Sequence, residues 1–365
     1  MTLDVGFIGY GFMGTAHANA LARLPMFFPE TPQVNRSIIV GREKKALTDA
    51  ADRLGFDRTT TDWEDAVESV DVLYNLAPTH LHPEPTIEAL AAGVHVLCEK
   101  PLARSLEGAE RMVEAARLSD AVAGCAYNYR YVPALQLAKQ LVDKGALGEL
   151  RYFRGQFLQD WQADEDGPWL WRNNDDVAGA GAVGDQGSHT IDLAQWLVGD
   201  IADVSGRLAT EIEERSVPES DERRAVTNDD IYTVHFSFQS GTQGMLEGSR
   251  IAVGHKNTNA VELIGSNGAI QFDCERLNEL QVQFEDDYGF QTINVTRDED
   301  PYMDAWWPAG HSIGWEHTVI HENHEFLRAV DGATSFEPSF KTAFQTQRVV
   351  DAIRRSDKTG KRVSL

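Results

Sequence analysis

Positive charge is scarce in this chain: 33 lysines and arginines stand against 57 aspartates and glutamates, a formal net charge of -24, and only nine of the bases are lysine. Such a surface repels a phosphate backbone, so nucleic acid is not expected as a partner. The acids are spread along the whole chain rather than gathered in a tail. That leaves two readings, an ordinary solvated surface or one adapted to high salt, where screening makes the charge tolerable. Cysteine is almost as rare. Cys98, Cys125 and Cys274 have no metal-type spacing and cannot all pair, so neither a disulfide framework nor secretion is expected, and a reducing cytoplasm fits. Long apolar stretches are missing as well: no segment offers the roughly 20 uncharged apolar residues of a membrane span, and no basic leader precedes the first apolar run. Low-complexity tracts and internal repeats are absent, and 42% hydrophobic residues with 30 glycines make an ordinary globular composition rather than disorder, collagen or coiled coil. At 365 residues the chain exceeds what one core usually organises, so two domains are expected.

What is present divides near residue 126. Before it, short apolar runs at 5–8, 37–40, 70–76, 95–98 and 121–125 alternate with helical-period segments at 16–24, 44–54, 84–92 and 106–118. Strands alternating with helices predict a parallel sheet covered on both faces, a doubly wound domain over 1–126. After a helical stretch at 133–144, strand-like runs follow one another at 151–158, 231–238, 242–250, 260–264, 269–273 and 280–284. Gly241 and Ser266-Asn267-Gly268 supply hairpin turns, so 127–365 is expected to be an α+β domain with an open-faced, mainly antiparallel sheet. Helices are expected at 188–197, 316–330 and 340–356, and the polar stretch 211–229 reads as a long exposed loop.

Gly9-Tyr10-Gly11-Phe12-Met13-Gly14 matches G-x-G-x-x-G between a strand and a helix, the context that makes this motif a dinucleotide site. The first glycine allows the tight turn, the second lets the backbone approach a pyrophosphate, and the third lets the helix pack close. At the end of the second strand Gly41 stands where an acid usually accepts the adenosine ribose hydroxyls, and Arg42 follows it. Both NAD and NADP fit this pattern. The missing acid and Arg42 favour NADP, while Glu43 within reach of the ribose keeps NAD open.

Further segments complete a set: Ala77-Pro78-Thr79-His80-Leu81-His82, Cys98-Glu99-Lys100-Pro101, Tyr127-Asn128-Tyr129-Arg130, and 179–189 ending Asp185-Gln186-Gly187-Ser188-His189. Together with the fingerprint they resemble the glucose-fructose oxidoreductase and inositol dehydrogenase (Gfo/Idh/MocA) family over essentially the whole chain. Segments 25–28, Leu158-Gln159-Asp160-Trp161 and Trp171-Arg172 look most like its levoglucosan-oxidising branch. The resemblance implies a Rossmann domain joined to an open-faced sheet domain, with the nicotinamide held in a cleft and a secondary hydroxyl of a sugar, anhydrosugar or cyclitol oxidised there. It implies catalytic roles for Lys100, Asp185 and His189. Asp185 and His189 are four residues apart, hence one turn apart on one face if a helix starts near Asp185. Histidine suits the hydroxyl proton, lysine the developing negative charge on oxygen, and aspartate a neighbouring hydroxyl. Pro78, Thr79 and His82, with Ala77, are expected along the cofactor groove, Glu99 at the nicotinamide ribose, Asn128 near the carboxamide, and Trp171 and Arg172 over the cofactor. Arg130, Gln159, Asp160 and Trp161 are candidates for the sugar pocket, where planar polar groups and an aromatic platform recognise polyols.

His317, His321 and His324 share a helical face, yet no cysteine or acid cluster completes a metal set, so no metal is expected; His317 or His321 is instead a candidate to reach substrate from the second domain. Two other functions use the same fold: a glycosidase that oxidises its substrate transiently on tightly held NAD, and a silent nucleotide-binding sensor. The sensor has no need of Lys100, Asp185 and His189 together. The open sheet face predicts a homodimer or homotetramer, since it is the family's usual oligomer surface and an uncovered face would expose apolar residues.

Overall fold

Strands buried on both faces must be apolar throughout, and the first third of the chain meets that demand. In the computed structural model, which describes residues 2–365, one compact unit runs through Tyr131 and resumes over Gly314–Phe344. The other comprises Val132–Ile313 and Gln345–Leu365.

The first unit begins β1 (Thr2–Ile8), α1 (Phe12–Phe27), β2 (Gln33–Val40), α2 (Lys44–Leu54), β3 (Arg58–Thr60), α3 (Glu64–Val67), β4 (Val72–Asn75), α4 (Pro83–Ala91), β5 (His95–Glu99), α5 (Leu106–Leu118) and β6 (Ala123–Ala126). The six strands are parallel in the order β3-β2-β1-β4-β5-β6. Strand order reverses between β1 and β4, the switch point at whose carboxyl edge doubly wound sheets bind ligands. Val5, Phe7, Ile39, Leu73, Val96 and Leu97 fill its core without solvent exposure.

The second unit holds α6 (Pro133–Asp143), β7 (Leu150–Leu158), α7 (Asp175–Ala178), α8 (Ala182–Asp185), α9 (Gly187–Val198), β8 (Ile201–Ala209), β9 (Glu214–Ser216), β10 (Arg223–Ala225), β11 (Ile231–Phe238), β12 (Gln243–Ser249), β13 (Thr258–Gly265), β14 (Gly268–Asp273), β15 (Glu279–Phe284) and β16 (Gln291–Asn294). The chain then forms α10 (Trp315–Val330), α11 (Phe340–Thr359) and β17 (Val363–Ser364). Nine strands make one mixed sheet, β16-β15-β14-β13-β7-β12-β11-β8-β17, in which only the β12–β7 pairing is parallel. Alternation is clean along β11, with Tyr232, Val234, Phe236 and Phe238 buried and Thr233 and His235 exposed. α9 lies so close on the inner face that a Cβ at Gly155 would stand 2.3 Å from Thr190 Cγ2.

Three expectations are redrawn. The single boundary after residue 126 becomes an interleaved one, because α10 packs against α1 and its Val319, Ile320, Phe326 and Leu327 are buried in the first unit. His317 and His321 therefore belong to the first unit, not the second. The exposed loop at 211–229 contains the β9–β10 hairpin and buries Arg215, whose Nη1 and Nη2 donate to the carbonyls of Asp164 (2.8 Å) and Gln162 (2.5 Å). Third, the outer face of the large sheet is mixed rather than apolar: Arg154, Gln156, Glu247, Glu262, Gln271 and Gln281 emerge on it beside Tyr152, Met245 and Ile264.

Among the described residues no helix is long and apolar enough to cross a membrane. The three cysteines are buried and unbridged.

Candidate functional site

The fingerprint glycines each meet the steric demand expected of them. Gly9 sits at φ +105°, and a Cβ there would come within 2.7 Å of the Leu76 carbonyl on β4. Gly11 has nothing within 4 Å of the same position, which leaves its backbone open to approach. A Cβ on Gly14 would lie 2.8 Å from the Gly9 carbonyl, so the start of α1 can press onto the turn. Gly11 caps α1 without a side chain, and the first turn carries no acid, so the helix N-H groups and the positive end of its dipole face outward unneutralised. This cradle fits a pyrophosphate. Phe12 is 72% exposed and stacks on Trp315 with ring centroids 5.2 Å apart.

At the end of β2 no acid stands, and the Tyr10 ring lies where a side chain would begin: a Cβ on Gly41 would fall 2.2 Å from it. Arg42 and Glu43 are exposed beyond it. Arg42 and Arg104 both lower the basicity of His80, after burial as the first cause, which puts three basic groups in one neighbourhood.

The 77–82 segment follows β4. Thr79 is buried in a short 3-10 turn, with Ala77 and Pro78 half-buried before it. His82 is a brace between loops: its Nε2 faces the Ala77 carbonyl at 2.9 Å, and its Nδ1 faces those of Pro101 and Leu102 at 3.1 and 3.2 Å. Burial lowers its pKa. Glu99 ends β5, nearly buried, with Oε2 accepting the Lys100 N-H at 3.1 Å, and Lys100 follows at the sheet's carboxyl edge. Asn128 and Arg130 lie buried in the 3-10 turn Asn128–Tyr131, and Asn128 Nδ2 donates to Thr318 Oγ1 of α10 at 2.7 Å. Of α10's histidines, His321 is fully buried against the Tyr131 carbonyl (3.0 Å), and His324 meets Thr31 Oγ1 at 2.6 Å. His324 Nε2 in turn lies 3.5 Å from the exposed Glu30 carboxylate, whereas His321 faces only the interior.

The second unit gathers the remaining candidates. Asp185 ends α8 and His189 lies in the first turn of α9, joined through Gln186 in helical conformation, so the expected single helix is two helices in near-continuous register. Asp185 Oδ2 lies 3.8 Å from Arg172 Nε, and the Arg172 guanidinium stacks 4.4 Å over the Trp171 ring. His189 is buried, its ring 6.0 Å from that of Phe157. Gln159, just past β7, accepts from Gln186 Nε2 at 2.9 Å and donates to Asn257 Oδ1 at 2.9 Å, which ties it beside the Asp185–His189 turn. Asp160 is drawn elsewhere: it accepts from Lys256 Nζ at 2.6 Å and from the Gly254 N-H at 3.2 Å, and the Lys256 hydrogen bond lowers its pKa. Trp161 is 41% exposed. Lys100 and Arg130 thus stand in the first unit, and Gln159, Asp160, Trp161, Trp171, Arg172, Asp185 and His189 in the second.

A buried polar scaffold that sequence reasoning missed supports this second set. Asp229 caps α8, accepting from Gly181 N-H (2.9 Å) and Val183 N-H (2.7 Å), and burial raises its pKa. Arg250 and Asp230 form an almost solvent-free ion pair at 2.8 Å; Arg250 also donates to Asn228 Oδ1 (2.9 Å) and to the Arg172 carbonyl (3.2 Å), which Asn228 Nδ2 shares at 2.8 Å. The signal was available: Asn228-Asp229-Asp230 precedes a strand, and Arg250 follows one, where surface acids and bases have no reason to gather in facing pairs. Among the described residues no three His, Cys, Asp or Glu side chains come together as a metal site.

Comparison with known proteins places two matches on these units. Residues 3–127 match the oxidoreductase family with NAD-binding Rossmann fold, and residues 135–271 match the GFO/IDH/MocA C-terminal domain. Levoglucosan dehydrogenase from Pseudarthrobacter phenanthrenivorans is 38% identical over 372 aligned residues, 96% of this chain and 95% of that protein. The solved structure of a levoglucosan dehydrogenase in complex with NADH and levoglucosan is similar with a TM-score of 0.96 at 38% identity, over 100% of this chain and 99% of that one. An oxidoreductase domain protein from Kribbella flavida gives 0.96 at 39% identity with the same coverage.

Proposed function

This chain belongs to the Gfo/Idh/MocA oxidoreductase family, and from that premise we propose that it is an NAD(P)-dependent dehydrogenase of a secondary hydroxyl on a sugar, anhydrosugar or cyclitol, with levoglucosan-type oxidation to a 3-keto sugar favoured. The observation that carries the proposal is the 38% identity with levoglucosan dehydrogenase over nearly the whole chain, in a sequence that holds Lys100, Asp185 and His189 together.

When bound, the nicotinamide would supply the acceptor for the hydride of the carbinol carbon. The protein's own groups handle the proton and the charge. His189 removes the hydroxyl proton as the C-O bond gains double-bond character, a role suited to an imidazole near neutrality. Lys100 hydrogen-bonds the same oxygen and stabilises the negative charge that develops there. Asp185 holds a neighbouring hydroxyl and faces the imidazolium that forms, while Arg172 at 3.8 Å fixes the direction of its carboxylate. Gln159, Arg130 and the exposed face of Trp161 contribute to the sugar pocket; Asp160, already bound to Lys256, shapes its rim. Glu99 accepts the nicotinamide ribose hydroxyls, Thr79 and Pro78 line the groove, Asn128 stands by the carboxamide, and His82 acts by holding the loops that carry Pro78 and Lys100.

Both cofactors remain in the proposal, with Arg42 deciding between them. Its company of Arg104 and His80 supports a 2'-phosphate, and the NADH complexes of relatives support the unphosphorylated cofactor. A homodimer or homotetramer built on the outer sheet face is proposed with it, and a sedimentation profile of pure monomer refutes that part. The deciding assay follows reduced-nicotinamide absorbance when the protein meets NAD or NADP with levoglucosan, myo-inositol, glucose or xylose. We expect turnover with one of these that falls about 10²- to 10⁴-fold in Lys100→Ala and His189→Ala. Silence with every pair, although the cofactor binds, refutes the dehydrogenase; release of aglycone from aryl glycosides without net reduction then points to the transient-oxidation glycosidase.

A further inference from the structure

The face that α1 buries carries one histidine among alanines. His17 follows the last fingerprint glycine by three positions and is completely buried beside Ala16, Ala18, Ala20 and Leu21. An imidazole in such a place is unfavourable unless each ring nitrogen finds a partner. Nδ1 lies 2.9 Å from Asn323 Nδ2 of α10. That amide nitrogen also donates to the Val319 carbonyl at 2.7 Å, an acceptor that fixes which end of the amide is nitrogen. An amide nitrogen only donates, so His17 Nδ1 accepts, and the ring's proton sits on Nε2. Nε2 faces Glu99 Oε1 at 3.4 Å, and the other carboxylate oxygen takes the Lys100 N-H. Phe7 and Tyr74 hold the ring in plane by edge contacts, with centroids 6.5 and 5.4 Å away.

The polarity of this chain runs one way: Asn323 donates to His17, and His17 donates to Glu99. Each oxygen of Glu99 is engaged by one donor on the protein side, which leaves a second lone pair on each for a ligand at the sheet's carboxyl edge. We propose that His17 is a positioning residue for the cofactor, held in its Nε2-H tautomer by Asn323 so that it orients Glu99 to receive the two hydroxyls of the nicotinamide ribose. The proposal rests on the reading of Glu99 given above.

The test is calorimetric binding of NADH and of ADP, which lacks the nicotinamide ribose, to the full chain. His17→Phe keeps the ring volume and removes both polar contacts; His17→Gln returns a donor toward Glu99. We expect His17→Phe to weaken NADH about 10-fold with ADP unchanged, in line with one hydrogen bond to a charged group, and His17→Gln to recover most of the loss. Equal weakening of NADH and ADP makes His17 a packing residue and overturns the proposal. Unchanged NADH binding in His17→Phe, with Glu99→Gln weakened, overturns it while sparing the role of Glu99. Unchanged binding in Glu99→Gln shows instead that the ribose reading itself is wrong. Should His17→Phe not fold, nitrogen NMR of the intact protein decides: an Nδ1-H tautomer at His17 overturns the proposal.

Discussion

Replacing Asp230 by alanine leaves Arg250 charged, buried and without its carboxylate. The pair sits at 2.8 Å with side-chain exposures of 3% for Arg250 and none for Asp230. Removing one partner of such a pair destabilises by about 3–5 kcal/mol, most of it from the stranded charge. Asp230→Ala belongs at the upper end, since the same carboxylate also accepts the N-H groups of Glu211 (2.9 Å) and Ile212 (3.1 Å). Arg250→Met belongs at the lower end, because those two donors stay with the aspartate. In the double variant neither charge is stranded, so its destabilisation falls short of the summed single effects by about 2 kcal/mol or more. Urea unfolding monitored by tryptophan fluorescence yields all four free energies. Single effects below about 1 kcal/mol, or additivity within about 0.5 kcal/mol, refute the reasoning and reduce the pair to a spectator.

Acid should loosen the first unit. Burial holds His321 at about 3 and His324 at about 4, against an ordinary 6.5, so both stay neutral in the folded chain while the unfolded chain takes up protons. Stability is therefore lost as pH falls below about 6.5, by about 2 kcal/mol at pH 5 from His321 alone, and the loss is complete once pH passes the folded values. His321→Asn should flatten that slope between pH 7 and pH 5 in urea titrations, and an unchanged slope refutes the assignment. Gly9→Ala forces a Cβ toward the Leu76 carbonyl at positive φ, and calorimetry should show NADH affinity reduced at least about 10-fold. Arg42→Ala should reduce kcat/KM for NADP by about 10- to 100-fold and leave that for NAD within about threefold; equal effects on both deny Arg42 any part in cofactor choice.

Local chemistry was the legible part of this molecule. The glycine turn after β1, the apolar runs of β1, β4 and β5, and the boundaries of α5 and α9 follow from periodicity and turn residues within a few positions of themselves. The destination of α10 does not, because an amphipathic helix says that one face is buried without saying beneath which sheet. The 211–229 stretch was half legible for a related reason: Glu211, Glu213, Glu214, Glu219, Asp221 and Glu222 are exposed as their polarity implies, but the pairing of β9 with β10 and the carbonyls that hold Arg215 depend on partners the local sequence does not name. His17 was hidden by its company, a polar residue in a run of alanines whose partners are 82 and 306 positions away. The candidate site divides in the same manner. Lys100, Asp185 and His189 were visible as a set of spaced motifs, whereas the Asp230–Arg250 pair, the Asp229 cap and Gln186 needed the sheet to bring them together.

The interleaving of the first unit sets an order of events at the ribosome. When Tyr131 emerges, the six-stranded sheet has all its strands, yet α1 still lacks α10, the helix that packs against it and supplies Asn323 to His17. Roughly two hundred residues separate that moment from Phe344, about 10–40 s of synthesis at ordinary rates. During that interval the nascent nucleotide domain presents an apolar helix flank to the cell, and the second unit is built through Ile313 before the flank can close.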